Sequence, residues 1–266
     1  MRVRDKIVVV TGAGNGIGRG MAERFVTEGA KTVVFSDLNM GLAESVATPL
    51  KQPAMQCDVS DAGALRSMID TVENDIGPID LMVSNAAYGF TGGFTIDGIE
   101  EASGFETSEE AWDASWQINV MAHIRAARQL VPRMMKRGGG YFLNTVSAAG
   151  LITSNSKLAY TVTKHADIGF AEWLALNYGT RGIGVSCLCP TAVATRPGQF
   201  DAMPEIGLVQ TPAEIAQFVI DGLERETFLI LPNPAVGGSF RKKATDYDAW
   251  IARTQQRLTA MDGLRD

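Results

Sequence analysis

Short, continuous apolar segments alternate with helix-like segments along most of this 266-residue chain. The first of them, KIVVVTG at 6–12, is rich in β-branched residues, which favour strands. Strands without polar positions are typical of parallel sheets that are covered on both faces, and right-handed crossovers wind the connecting helices to both sides. The sequence therefore predicts an α/β fold with a doubly wound, seven-stranded parallel sheet and helices on both faces.

The predicted elements run in one continuous series without a linker or an internal repeat, so we expect a single domain over 1–266. The predicted strands are 6–12, 31–37, 53–60, 79–87, 141–147, 184–190 and 228–232. The predicted helices are 17–29, 40–49 (stopped by Pro49), 61–76, 108–137, 155–179 and 212–225, and the polar tail 241–262 has helical potential. Residues 88–107 predict an extended loop, and residues 191–210 predict an irregular segment.

Composition and charge exclude several classes of function. The formal net charge is −6 and no block of Lys and Arg is present, which argues against nucleic acid as a partner. No apolar run approaches the roughly 20 residues that span a bilayer. The chain enters its first strand directly after MRVRDK, which leaves no room for a signal peptide. We therefore expect a cytoplasmic protein that does not bind membranes.

Histidine and cysteine are too few and too scattered to predict a metal site. His123 and His165 have no partner at ligand spacing, and we expect both to be structural. Cys187 and Cys189 alternate within an apolar strand, so they should lie on the same side of it as small buried side chains.

A glycine-rich turn, TGAGNGIG, joins the first predicted strand to the first predicted helix. Gly12, Gly16 and Gly18 allow a tight turn and a close approach of the backbone to a ligand. The helix N-terminus adds free N–H groups and a positive dipole end, which together favour the pyrophosphate of a dinucleotide. The alternative is a glycine turn that joins strand to helix without binding a ligand.

Asp37 ends the second predicted strand and indicates which dinucleotide would bind. Its carboxylate can accept hydrogen bonds from the adenosine ribose hydroxyls and would repel a 2′-phosphate. Neither Asn15 nor Leu38 supplies the positive charge that such a phosphate needs. These residues predict NAD rather than NADP, although Asp37 could also be the N-cap of the next helix.

Tyr160 and Lys164 stand four residues apart in a predicted helix, and Ser147 ends the strand before it. Residues four apart share a helix face, so the phenol and the ammonium can enter one pocket. Free tyrosine has a pKa of about 10, and a neighbouring cation lowers that pKa. The trio can therefore move a proton onto or off an oxygen atom that Ser147 holds. The alternatives are an exposed helix pair and, for Ser147, a strand-end cap.

These motifs together resemble the short-chain dehydrogenase/reductase family over nearly the whole chain. TGAGNGIG is similar to the family's T-G-x-x-x-G-x-G, and Asp58-Val59 to its adenine-contacting D-V. Ser84-Asn85-Ala86-Ala87 stands at N-N-A-G, and Pro190 to Thr195 at P-G-x-V-x-T. The resemblance implies a Rossmann fold with catalytic residues Asn119, Ser147, Tyr160 and Lys164. The implied cofactor-binding residues are Gly12, Asn15, Gly16, Ile17, Gly18, Asp37, Leu38, Asp58, Val59, Asn85, Ala86, Ala87, Tyr160, Lys164, Pro190, Val193 and Thr195.

Three positions depart from the family pattern. Ser84 and Ala87 replace Asn and Gly in the motif of the fourth strand, where we expect a packing adjustment beside the adenine ribose. Thr191 replaces the Gly after Pro190, and its added bulk would trim the pocket beside the nicotinamide amide.

The resemblance implies an oxidoreductase that transfers a hydride between NAD(H) and a secondary alcohol or ketone. Tyr160 would be the general acid/base, Lys164 would lower its pKa and hold the nicotinamide ribose, and Ser147 would position the substrate oxygen. Asn119 would hold a water that links Lys164 to solvent. The resemblance also implies a homotetramer, or a homodimer, built through the helices at 110–137 and 155–179.

The substrate is expected to be medium-sized and apolar or aromatic. Its wall would include Tyr88, Phe90 and Phe94, which follow the fourth strand, where ligands collect in such sheets. Residues 191–210 would form a lid, and its residues facing the substrate would be Pro197, Gly198, Phe200 and Met203.

Two alternatives to this function remain at this stage. A non-catalytic NAD-sensing or scaffold protein on the same fold would be expected to lose Tyr160 or Lys164, and both are present. An epimerase or dehydratase acting on nucleotide sugars would need a longer C-terminal part than the roughly 70 residues that follow Pro190 here.

Overall fold

The computed structural model describes residues 1–89, 107–153, 158–196, 199 and 208–262. Its strands are β1 (Ile7–Thr11), β2 (Thr32–Asp37), β3 (Ala54–Gln56), β4 (Leu81–Ser84), β5 (Gly140–Thr145), β6 (Ile183–Leu188), β7 (Ala192–Val193), β8 (Val209–Gln210) and β9 (Leu229–Ile230). Its α-helices are α1 (Gly16–Thr27), α2 (Met40–Ala47), α3 (Ala62–Thr71), α4 (Glu109–Trp116), α5 (Ala122–Lys136), α6 (Leu158–Tyr178), α7 (Pro212–Glu224), α8 (Pro234–Thr245) and α9 (Tyr247–Asp262).

Seven of these strands form one parallel sheet in the order β3-β2-β1-β4-β5-β6-β9, which confirms the predicted sheet. The chain moves outward in one direction from β1 to β3, and then returns to the centre and moves the other way from β4. The connections that leave β1 and β4 therefore lead toward opposite edges of the sheet. In open sheets of this kind, ligands bind outside the carboxyl ends of the strands at such a point.

Both faces of the sheet are covered by helices, as predicted. Val9 packs into a core with α3, α5 and α6, whereas Val8 and Val10 pack into a second core with α1, α2 and α7. Successive strand side chains point to opposite faces, so each central strand contributes to both cores. This double burial explains why the strands are continuously apolar in the sequence.

Several element boundaries differ from the predictions. The third strand ends at Gln56, because the chain then turns at Asp58, whose Oδ1 accepts hydrogen bonds from the Ser60 backbone and hydroxyl. Pro49 does not stop a helix but lies within a 3-10 turn that extends α2. In the tail, helix begins already at Pro234, after an N-cap at Asn233, and continues as a second helix.

The segment 191–210 is not irregular at its two ends. Ala192–Val193 pairs in parallel with Val209–Gln210, so the chain leaves and re-enters this segment at one small sheet. The four residues predicted to face a substrate from the lid lie outside the described residues, as does most of the predicted 88–107 loop.

The predicted 108–137 helix is interrupted by a π-helical turn at Gln117–Met121, which carries Asn119. Such a turn widens the helix locally and re-aims the side chains within it. Ser108 begins the first part as an N-cap, since its hydroxyl accepts a hydrogen bond from the Ala111 backbone N–H.

Apolar side chains are exposed on α6, where Trp173 is 54% and Leu176 81% exposed. The predicted assembly through this helix stays a prediction. Separately, the described residues contain no helix that is both long and apolar enough to span a membrane.

We expect the Thr211→Ala variant to be less stable than the wild type. Thr211 and Glu214 form a reciprocal capping box at the start of α7, and α7 packs on α1, where Pro212 lies against Gly20. Loss of an N-cap hydroxyl costs about 1 kcal/mol of unfolding free energy, which urea denaturation can measure. The Thr211→Ser control should retain most of the stability; equal stability of wild type and Thr211→Ala would contradict this assignment.

Candidate active site

Tyr160 and Lys164 are both buried on α6 near the carboxyl ends of the central strands. Tyr160 is 6% exposed and Lys164 is 0% exposed, so the alternative of an exposed helix pair is wrong. The Lys164 Nζ lies 5.7 Å from the centroid of the Tyr160 ring. An ammonium at this distance in a buried site stabilises a phenolate and lowers the free energy of removing its proton.

The Lys164 ammonium is tied to the sheet. Its Nζ donates a hydrogen bond of 2.8 Å to the Thr145 backbone oxygen at the end of β5. Burial lowers the pKa of Lys164, and the carboxylate of Asp167, with Oδ2 4.0 Å from Nζ, opposes that shift.

Ser147 follows β5 and begins a 3-10 turn at Ala148–Gly150. Its Oγ accepts a hydrogen bond of 3.1 Å from the Ala149 N–H, so Ser147 caps this turn, a contact of the kind that the alternative of a strand-end cap expected. This turn packs closely on α6, because a Cβ at Gly150 would lie 2.6 Å from the Lys164 backbone oxygen. The turn therefore brings Ser147 to the part of α6 that carries Lys164.

Asn119 is held by three hydrogen bonds. Its Oδ1 accepts from the Tyr88 N–H at 2.9 Å, and its Nδ2 donates to the Tyr88 oxygen at 3.0 Å and to the Thr163 hydroxyl at 3.1 Å. Both amide hydrogens are thereby used, which leaves one lone pair on Oδ1. From its π-helical turn, Asn119 thus satisfies the backbone that follows β4.

The glycine-rich turn lies at the carboxyl end of β1 and depends on its glycines. Gly12 has a φ of +65°, a conformation that favours glycine. A Cβ at Gly18 would lie 2.1 Å from the Gly12 oxygen, so no larger residue fits there. The first turn of α1 presents backbone N–H groups that have no intrahelical acceptor.

Two residues that hold this turn were not predicted to do so. The Asn85 amide, predicted to shape the adenine ribose wall, donates to the Thr11 and Gly12 oxygens at 3.0 and 3.3 Å. The Thr11 hydroxyl accepts from the N–H groups of Asn85 and Ala86 at 3.0 and 3.2 Å. These bonds join the end of β1 to the residues that follow β4. The sequence signal for them was the polar residues at the ends of these two apolar strands.

Asp37 lies beside the glycine-rich turn, where its Oδ2 accepts a hydrogen bond of 2.9 Å from the Gly14 N–H. Its Oδ1 accepts from the Asn39 N–H at 3.0 Å. Asp37 is not the N-cap of α2, since the Asn39 side chain caps that helix by accepting from Leu42. Each carboxylate oxygen keeps a lone pair for a ribose hydroxyl, so the site fits an adenosine ribose.

The other predicted cofactor residues lie along the same edge of the sheet. Thr195 contacts the turn directly, because a Cβ at Gly16 would lie 3.0 Å from its Cγ2. Pro190 accepts a hydrogen bond of 2.9 Å from Ala148, which joins the segment after β6 to the Ser147 turn. Among the rest, Val59 and Val193 are buried, Ile17 and Ala86 are half-buried, and Asn15, Leu38, Asp58 and Ala87 are exposed.

His123 and His165 have protein contacts that fit their predicted structural roles. The His123 Nδ1 lies 2.8 Å from Asp167 Oδ1 in a fully buried pair, and the His165 Nδ1 lies 2.9 Å from the Thr161 oxygen. Asp167 itself was not predicted. Its signal is an acidic residue three positions after Lys164 in an apolar helix.

The predicted substrate wall is described only at Tyr88. That residue is 2% exposed, and Phe90 and Phe94 lie outside the described residues. Cys187 and Cys189 are fully buried and pack into the same core, as predicted, and burial raises the pKa of Cys189 to about 12.

Comparison with known proteins agrees with this architecture. The family model for short chain dehydrogenases matches residues 6–201. D-threitol dehydrogenase of Mycolicibacterium smegmatis is 31% identical over 202 residues, which cover 74% of each chain. 2-(S)-hydroxypropyl-CoM dehydrogenase 3 of Xanthobacter autotrophicus is 31% identical over 239 residues, which cover 82% of this chain and 89% of that protein.

A solved structure shares the fold. It is a short chain dehydrogenase/reductase from Burkholderia phymatum in complex with NAD, with a TM-score of 0.80 and 23% identity, covering 94% of this chain and 96% of that chain. The family match over most of the sheet, together with the relatives above 30% identity, shows that this chain belongs to the short chain dehydrogenase family.

Proposed function

We propose that the protein is an NAD-dependent oxidoreductase that interconverts a medium-sized, apolar or aromatic secondary alcohol and its ketone. The observation that carries this proposal is the buried Tyr160 phenol beside the fully buried Lys164 ammonium, at the edge of the sheet that carries the glycine-rich turn. A sensor or scaffold protein would have no need for a desolvated cation beside a phenol, so this pair favours an enzyme.

The proposed chemistry is proton transfer at Tyr160. In oxidation Tyr160 takes the proton of the substrate hydroxyl as general base, and in reduction it returns that proton as general acid. The Lys164 ammonium stabilises the phenolate form of Tyr160 relative to the neutral phenol. When bound, the nicotinamide cofactor supplies the hydride acceptor or donor.

Ser147 and Asn119 support that transfer in different ways. The Ser147 hydroxyl donates a hydrogen bond to the substrate oxygen while its own lone pair accepts from Ala149. Asn119 fixes the backbone at Tyr88, and the predicted water relay to Lys164 then uses the second lone pair of its Oδ1.

The cofactor would be held by the glycine-rich turn, Asp37 and the segment from Pro190 to Thr195. The preference for NAD rests on the Asp37 carboxylate, which lies 2.9 Å from Gly14 in the turn and would repel a 2′-phosphate. The choice of an alcohol substrate is supported by the names of the two relatives, which are dehydrogenases of threitol and of a hydroxypropyl compound.

Replacing Tyr160 with phenylalanine should abolish turnover, because it removes the proton acceptor and keeps the ring. We expect kcat to fall by at least about 10²-fold. The assay is NADH formation with a panel of aliphatic, alicyclic, steroid, aryl and sugar-derived secondary alcohols.

The matched control is Tyr178→Phe, which removes a hydroxyl from the other end of α6 beside Arg181. This control should retain wild-type activity. Turnover that survives in Tyr160→Phe would overturn the proposed mechanism, and silence of the wild type across the panel despite NAD binding would favour the sensor alternative.

Replacing Asp37 with alanine should relax the discrimination between NAD and NADP. It removes hydrogen bonds to a charged acceptor, each of about 1.5–3 kcal/mol, so NAD affinity should fall at least about tenfold while repulsion of the 2′-phosphate disappears. Binding of both nucleotides by calorimetry measures this change.

Asp37→Asn separates the two effects, since it keeps one acceptor oxygen and loses the charge. We expect it to bind NADP better than the wild type does. An unchanged NAD/NADP ratio in both variants would remove Asp37 from this role.

A further inference from the structure

A buried polar cluster that is not part of the predicted catalytic set lies next to Lys164. Its members are Asp167 on α6, His123 on α5 and Asn144 on β5. Asp167 is 0% exposed, His123 2% and Asn144 1%. Burying this many polar groups costs free energy unless each one is paired, so the cluster calls for an explanation.

The two oxygens of Asp167 have different surroundings. Oδ1 lies 2.8 Å from the His123 Nδ1 and 3.3 Å from the Asn144 Nδ2, so two donors hold it. Oδ2 has no hydrogen-bond partner within the described part of the chain and lies 4.0 Å from the Lys164 Nζ. The carboxylate is therefore fixed on one side and presents its free oxygen to the ammonium.

Lys164 needs a nearby negative charge. A completely buried ammonium whose hydrogen-bond acceptor is the Thr145 carbonyl is costly, and burial lowers the pKa of Lys164. Within the described parts of the chain, the other titratable groups facing Lys164 are Tyr160 on its own helix and the thiols of Cys187 and Cys189.

Those thiols stay neutral near physiological pH. Burial raises the pKa of Cys189 to about 12 and that of Cys187 well above its ordinary value. Glu172 contributes to the raised pKa of Cys187, and the His123 Nδ1 contacts the Asp167 carboxylate. The carboxylate of Asp167 is thus the anion in position to compensate the ammonium.

We propose that Asp167 is a positioning residue for the proposed reaction, whose buried carboxylate, held by His123 and Asn144, keeps Lys164 charged and seated on Thr145. The inference rests on the proposed function, because Lys164 must be a cation to stabilise the Tyr160 phenolate. Asp167 does not touch the substrate; it acts through Lys164.

A purely structural role is the competing explanation. The His123–Asp167 contact joins α5 to α6 one helical turn beyond the Asn119–Thr163 hydrogen bond, so it could simply lock the two helices together. The test must therefore separate the charge of Asp167 from its packing.

The first test is a double-mutant cycle on stability, which needs no substrate. Asp167→Asn, Lys164→Met and the double variant are compared with the wild type by urea unfolding. Each single change leaves one uncompensated buried charge, whereas the double variant removes both charges.

The double variant should therefore lose less stability than the sum of the two single losses, and it should fold even if Asp167→Asn alone does not. Additive losses would overturn the proposal, because they would mean that Asp167 and Lys164 do not interact.

The second test is the pH dependence of alcohol oxidation by Asp167→Asn. Activity requires the Lys164 cation, which is lost as the pH rises through the pKa of Lys164. Without the neighbouring carboxylate that pKa falls, so the alkaline limb of the kcat profile should move to lower pH by about one unit or more.

His123→Gln is the matched variant. It removes the imidazole and keeps both a hydrogen-bond donor and the Asp167 charge. Its alkaline limb should coincide with that of the wild type even if its stability is reduced.

An equal shift in both variants, or no shift in Asp167→Asn, would overturn the proposal in favour of a structural role. Failure of the proposed function would give a different experimental result. In that case the wild type oxidises no alcohol in the panel, and the stability cycle alone decides whether Asp167 and Lys164 are coupled.

Discussion

The arrangement of the site depends on the hydrogen bond by which the buried Lys164 ammonium is held to the sheet. Lys164 bonds the end of β5 through Thr145, and the turn after Ser147 packs on its backbone oxygen through Gly150. A buried cation must have its partners held in place by the surrounding structure. The fold supplies these partners from the end of β5, the turn after Ser147 and α6. The three elements are therefore held together at this edge of the sheet.

Polar side chains near the site divide into those with chemical roles and those that fix the backbone. Thr11 and Asn85 form hydrogen bonds that join β1 to the residues after β4, and Asn119 forms most of its hydrogen bonds with the backbone of Tyr88. Such bonds remove orphaned polar groups where strands end and loops begin. These bonds fix the backbone around the groups that are proposed to act on a substrate.

The sequence predicts the parts of this protein that local patterns encode. Continuous β-branched segments identify the parallel sheet, and the spacing of glycines and of Tyr160 and Lys164 identifies the site. It does not predict the partner of Asn119, 31 residues away, or the His123–Asp167 pair, 44 residues apart, because neither leaves a local period. The sequence does not predict the small β7–β8 sheet either, since strands of two residues are too short to show alternation.

The anchoring of Tyr88 has a consequence for how this protein can diversify. The chain leaves the sheet at a backbone clamped by Asn119 and returns at Ser108, whose side chain caps α4. Both boundaries are thus fixed by contacts that do not involve residues 90–106. A change of sequence between them would therefore leave in place the hydrogen bonds of Asn119 to Tyr88, of Ser147 to Ala149 and of Lys164 to Thr145.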